Sequence, residues 1–193
     1  YAPTEIATAF CECPQRQGGH LRPELAIVEI VDDDGRPVPV RAVGEVVVTP
    51  LGVTGMPLLR FRTGDVSFLL DEPCACGRAT RRLGPALGRK SQMLKFRGTT
   101  VFPNSILAVL NAEAGVIGGC VEAHSNTDGS DHVVVLAAVR DDAVTAQRLA
   151  AELRAKLRVR PDVHVISEQE LTAKITVPGK RKAATFIDLR QRS

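Results

Sequence analysis

An aspartate at the end of an apolar run and an arginine in a basic, glycine-containing segment further along are suitable groups for holding a sugar. Asp65 closes the stretch Arg60-Phe61-Arg62-Thr63-Gly64-Asp65, and Arg89 stands within Gly88-Arg89-Lys90. A carboxylate at a strand-ending turn can accept from both hydroxyls of a ribose, while a guanidinium donates as a fork to the same sugar or to a phosphate. Together they point to a nucleotide. Thr-Gly-Asp alone is also an ordinary turn, in which glycine supplies the positive φ and aspartate bonds its own backbone.

A second group of residues suits a metal. The five cysteines fall as Cys11 and Cys13, Cys74 and Cys76, with Cys120 apart. An odd, clustered set argues against a full disulfide framework. Cysteine and histidine are the ligands zinc prefers, and a tetrahedral site needs four. Cys13, His20, Cys74 and Cys76 make the best quartet, with Cys11 as the alternate to Cys13. Such a Zn²⁺ would pin the loop after Phe10 to the loop after Leu70 and do no chemistry. The competing expectation is a set of free or buried thiols.

Composition narrows the class. At 193 residues and 44% hydrophobic, the chain can bury a core and form one or two domains. A net charge of +3 suits anionic small ligands but falls short of a nucleic-acid binder, and one tyrosine without tryptophan is a poor base-stacking platform. No apolar run approaches the roughly 20 residues that span a bilayer, so no membrane partner is expected and the chain reads as cytoplasmic.

The order of the pieces is more specific than any one of them. Tyr1-Ala2-Pro3-Thr4-Glu5 is followed by Arg62-Thr63-Gly64-Asp65, then by Gly88-Arg89 with Lys95-Phe96-Arg97-Gly98, and finally by Pro178-Gly179-Lys180. This succession resembles the second half of the adenylate-forming acyl-CoA ligases. Cys74-Ala75-Cys76-Gly77-Arg78 and Gly98-Thr99-Thr100-Val101-Phe102-Pro103 look most like the phenylacetate-CoA ligase branch. The resemblance implies an ATP-dependent ligase that joins a carboxylic acid, of aryl type, to CoA through an acyl-adenylate.

By that resemblance Tyr1 stacks on adenine, Thr4 approaches the α-phosphate and Glu5 holds Mg²⁺. Asp65 and Arg89 hold the ribose of ATP or AMP, and Arg97 and Gly98 line the pantetheine tunnel. The lysine after Pro-Gly, Lys180, is the catalytic one, although counting back from Ile187-Asp188-Leu189-Arg190 points to Lys182 instead. Two positions depart from the family pattern. Ala2 replaces a usual glycine, and Ser91 stands where the hinge residue is commonly aspartate. The resemblance further implies a fragment, with the phosphate loop and most of the acyl pocket upstream; a homodimer is left open. The alternatives are a non-catalytic binding module and an adenylyltransferase relative that stops at the AMP conjugate.

Positioning these groups requires an α+β chain. Leu25–Val31, Val43–Thr49 and Leu58–Leu70 alternate or run apolar between turns, which predicts a small antiparallel barrel or sheet. Glu45, inside an apolar strand, is expected to pair with a base. The Gly/Pro/Arg-rich stretch from Arg78 to Arg89 marks a boundary between residues 1–88 and residues 89–193, which by the resemblance are the end of a large AMP-binding domain and a mobile C-terminal lid. The lid is predicted as a hairpin around Gly98, a helix capped by Asn104, strands near Gly119–His124 and Val133–Val139, a helix over Ala143–Leu157 and a strand over Val163–Ser167. A basic loop, Thr172–Lys182, precedes a final strand. This pattern resembles a ferredoxin-like fold. His124, His132 and His164 are read as structural.

Overall fold

The computed structural model of the chain describes residues 1–5, 10–96, 99–141, 143–179 and 181–190. The chain divides into two compact units, Tyr1–Ser91 and Gln92–Ser193.

The described part of the first unit is built from short strands rich in valine and isoleucine, whose branched side chains pack well on a pleated surface. The strands are β1 (Phe10–Glu12), β2 (Gly19–Leu21), β3 (Ala26–Val31), β4 (Gly44–Pro50), β5 (Phe61–Ser67), β6 (Leu69–Leu70), β7 (Arg82–Leu83) and β8 (Gly88–Arg89). They form two four-stranded antiparallel sheets, ordered β1-β2-β7-β6 and β3-β4-β5-β8. Phe10 and Leu83 of the first sheet share a core with Ala26, Ile30, Val46 and Val48 of the second.

The apolar run Leu58–Leu70, expected as one strand, is divided between the sheets, because β5 ends at Ser67 and β6 pairs elsewhere. At the break, the Ser67 hydroxyl lies 3.1 Å from both the Gly84 and Pro85 carbonyls and donates there.

Glu45 finds the bases expected of it. Only 7% of its side chain is exposed, and one carboxylate oxygen accepts from Arg62 Nη2 at 2.6 Å and Lys90 Nζ at 3.2 Å. Burial pushes the Glu45 carboxyl up, but the bonds and charges of Arg62 and Lys90 outweigh it and hold the group below its ordinary value. A carboxyl depressed by folding stabilises the native state above the ordinary range of about 4.3 and loses that contribution as pH falls through its native value. The advantage of the parent chain over Glu45→Gln in urea denaturation is therefore expected to shrink between about pH 6 and about pH 3. An advantage that stayed constant over this range would contradict it.

The second unit has three helices among its described residues. Strands β9 (Leu94–Phe96) and β10 (Thr99–Val101) pair antiparallel. Helix α1 (Pro103–Asn111) is followed by β11 (Val116–Ser125), β12 (Asp131–Val139), α2 (Ala146–Leu157), β13 (Asp162–Ile166), α3 (Glu168–Ile175) and β14 (Phe186–Asp188). The sheet order is β13-β12-β11-β14, with β11 and β12 antiparallel and both outer strands parallel to their neighbours.

Strand alternation separates the two faces. Val121, Ala123, Val133, Val135 and Ala137 pack with Ile106, Leu107 and Leu110 of α1 and Leu149 and Leu153 of α2. Cys120, Leu136 and Ala138 pack with Leu171 of α3.

Several expectations shift here. α1 is not capped by Asn104: its N-cap is Phe102, which makes no side-chain cap bond, and Pro103 takes the first turn, where a missing N–H costs nothing. α2 begins at Ala146 behind a Thr145 cap. The loop read from Thr172 is helical as far as Ile175, because Ser167 and Glu170 form a capping box that starts α3. A ferredoxin-like order is not established by this pairing, since β12 and β13 are parallel neighbours and helices pack on both faces.

Candidate functional site

Asp65 owes its position to an irregularity in β5. Glu45 pairs with Val66 and Val47 with Arg62, so Thr63, Gly64 and Asp65 together lie opposite Val46. Such a bulge bends the strand and re-aims a side chain. Gly64 adopts φ +75°, a conformation that glycine takes without steric cost. The Thr63 hydroxyl fastens the bulge, donating to the Val46 carbonyl at 2.8 Å and accepting from the Asp65 N–H at 3.1 Å. The tripeptide is thus a bulge inside a strand and not the strand-ending turn expected from the sequence.

Three of the predicted nucleotide ligands meet at this bulge. Asp65 and Arg89 are register partners across β5 and β8, and Arg89 Nε lies 2.9 Å from Asp65 Oδ1. Arg89 Nη1 also donates to the Thr63 carbonyl at 2.8 Å, which fixes the plane of the guanidinium. The Tyr1 hydroxyl donates to Asp65 Oδ2 at 2.6 Å. Burial, followed by this hydrogen bond, holds the Tyr1 phenol well above its ordinary value, so it remains a donor. Tyr1 also packs edge-on against Phe10, with ring centroids 6.2 Å apart.

A cavity of about 480 Å³ opens beside Tyr1, lined also by Phe10, Gly18, Gly19, Leu83 and Gly84; Asp65 and Arg89 are not among its walls. The Asp65 carboxylate, 17% exposed, uses one lone pair on each oxygen for Tyr1 and Arg89. An ionised carboxylate has about four acceptor sites, so about two remain for vicinal hydroxyls.

Other candidates stand apart from this trio. Thr4 and Glu5 are exposed in a turn, and among the described residues no hydrogen bond or ion pair ties Glu5 to another group. A free carboxylate of this kind is a suitable hard donor for Mg²⁺. Arg97, Gly98 and Lys180 lie outside the described residues. The sequence reading missed the structural work of Arg60, which forks onto Glu29 at 3.0 and 3.2 Å. Arg190, also missed, bonds Asp188, Asp131 and the Met93 carbonyl. Their only signal in the sequence was an arginine near an acidic residue or at an element end, which many surface positions share.

The thiol and imidazole groups of Cys13, His20, Cys74 and Cys76 come together, all four ligand atoms lying within 4.8 Å of one another. Cys13 Sγ and Cys74 Sγ are 3.7 Å apart, and Cys76 Sγ is 3.3 Å from His20 Nε2. Cys11 is exposed and outside the cluster. Cys120 is fully buried, and burial, with the Glu122 charge, pushes its thiol up to about 11. Among the described residues, no helix is long and apolar enough to cross a membrane.

No family model matches the chain. It is 46% identical over 108 residues to the phenylacetate-coenzyme A ligase of Thermus thermophilus, a match covering 55% of this chain and 24% of the relative. The enzyme of the same name from Pseudomonas putida is 39% identical over 79 residues, covering 40% of this chain and 17% of the relative. These matches span about a quarter or less of the relatives' length. In fold, the chain is similar to 2-hydroxyisobutyryl-CoA ligase, solved in the postadenylation state in complex with R3-HIB-AMP. That likeness has a TM-score of 0.73 at 23% identity, over 89% of this chain and 38% of that one. Motif order and sequence identity agree, and over about half its length the chain is similar to the phenylacetate-coenzyme A ligases.

Proposed function

We propose that this chain is the C-terminal portion of an AMP-forming ligase that joins an aryl acid of the phenylacetate type to coenzyme A. The observation that carries it is the meeting of Tyr1, Asp65 and Arg89 at the β5 bulge, a fixed carboxylate and fork of the kind that holds a ribose. Tyr1 would stack on the adenine and Thr4 approach the α-phosphate. Glu5 would hold Mg²⁺, whose charge offsets that of the phosphates when it is bound. Lys180 donates to the substrate carboxylate and the α-phosphate. Arg97 and Gly98 line the path of the pantetheine thiol.

Catalysis in this scheme is positioning and charge neutralisation. The acid's carboxylate attacks the α-phosphorus of ATP and pyrophosphate leaves; the thiol then displaces AMP. Tyr1–Ser91 is assigned to the nucleotide domain and Gln92–Ser193 to the lid; a pivot near Ser91 is part of the same proposal, as is a cytoplasmic setting.

The test uses a polypeptide of the relatives' full length that contains this segment. It should exchange labelled pyrophosphate into ATP when given aryl acids, and form thioester only when coenzyme A is added. Exchange without any coenzyme A-dependent product would assign it instead to adenylate chemistry that stops at the AMP conjugate. Absence of exchange with every aryl and alkyl acid tried would refute the ligase assignment.

A further inference from the structure

We propose that Cys13, His20, Cys74 and Cys76 bind one zinc ion, which holds the β1–β2 loop against the loop that leads into β7. The ligand geometry carries the proposal. A tetrahedral zinc with Zn–S bonds of about 2.3 Å and a Zn–N bond of about 2.0 Å has S···S edges of about 3.8 Å and S···N edges of about 3.5 Å. The observed Cys13–Cys74 and Cys76–His20 separations are 3.7 and 3.3 Å. These groups come from chain positions 61 and 56 residues apart, so local geometry alone does not bring them together.

The donor set selects the metal. Three sulfurs and one imidazole are soft and borderline ligands, which favour zinc over magnesium or calcium, and iron–sulfur clusters of the common type need four thiolates. Cys13, His20 and Cys74 are buried and Cys76 is half-buried. Four protein donors close the coordination sphere and leave no position for a reacting water, the mark of a structural site. Binding releases the thiol protons to solvent.

The surroundings are prepared for it. With His20 Nε2 on the metal, Nδ1 carries the proton and donates to the Thr80 hydroxyl, 3.1 Å away, which fixes the ring. Arg82, only 4% exposed, donates to the Gln17 carbonyl at 2.7 Å and the Glu72 carbonyl at 3.1 Å. It therefore ties together the two loops that carry the ligands. The site lies in the sheet whose Phe10 supports Tyr1, but the proposal stands independently of the nucleotide assignment.

Elemental analysis of the dialysed chain is expected to find about one zinc per polypeptide. Cys74→Ser and His20→Ala should lose it, whereas Cys11→Ser should retain it. Cobalt(II) added to chelator-stripped wild type should give the intense visible bands of a tetrahedral site and a thiolate charge-transfer band. Cobalt titration of the wild type decides the matter if the variants fail to fold. Stripping should lower the thermal midpoint, and zinc should restore it. A wild-type chain that retains no zinc and gives no tetrahedral cobalt spectrum overturns the proposal, as does loss of the metal in Cys11→Ser equal to that in Cys74→Ser.

Discussion

Lys180→Ala is expected to lower acyl-adenylate formation by about 10²- to 10³-fold, the usual cost of removing one donor to a developing charge. Thioester formation from pre-made acyl-adenylate should continue near the parent rate. The asymmetry follows from where charge develops. In the first step a carboxylate approaches an anionic phosphate, and a lysine ammonium between them offsets the repulsion. In the second step a thiol attacks a neutral acyl carbonyl, so no two anions are brought together; the acyl C–O bond breaks, its electron pair leaves on AMP and the thiol proton goes to solvent.

α3 ends at Ile175, whose carbonyl accepts from the Ala184 N–H at 2.8 Å, so the two ends of the intervening loop are tied together before β14. Gly179 sits at φ +80° within it. Lys182 is an exposed neighbour, and Lys182→Ala is the control, expected to change either half-reaction less than about threefold if it is only a solvated charge. Equal loss of both half-reactions in Lys180→Ala would remove the assignment, and the Lys180 pattern appearing in Lys182→Ala would move it there.

Asp65→Ala in the same full-length context should weaken AMP binding by about a hundredfold, since hydrogen bonds to charged groups contribute about 1.5–3 kcal/mol each. The loss has two sources. The carboxylate's remaining acceptor sites go, and the arginine fork loses the partner that holds it at 2.9 Å. Arg89 keeps its bond to the Thr63 carbonyl and is 58% exposed, so water can solvate the released guanidinium and folding stability should change little. Asp65→Asn, which preserves shape and one acceptor, should fall between the two. Calorimetric AMP titration alongside a thermal melt separates the effects. Unchanged affinity, or a melt that collapses as far as binding does, would mean that Asp65 serves the fold alone.

What could be read directly was whatever depends on residues close together in the chain. The apolar runs of Ala26–Val31 and Gly44–Pro50 and the leucines at helical spacing in α2 were legible because they are local patterns. The box that starts α3, Ser167 with Glu170, was equally local, but the basic run after it obscured the helix.

Tertiary structure decided where those elements meet. Pairing β13 beside β12 and placing α3 on the opposite face from α1 and α2 depend on contacts between distant segments, which no single period encodes. The same holds for the site. Residue types and motif order singled out Tyr1, Asp65 and Arg89, whereas only the packed sheet could turn Thr-Gly-Asp into a bulge and bring a phenol 64 positions away into hydrogen-bond range of the carboxylate. Periodicity is a property of neighbours along the chain; convergence requires the loop-closure entropy of folding to be overcome by burial, and that balance belongs to the whole fold.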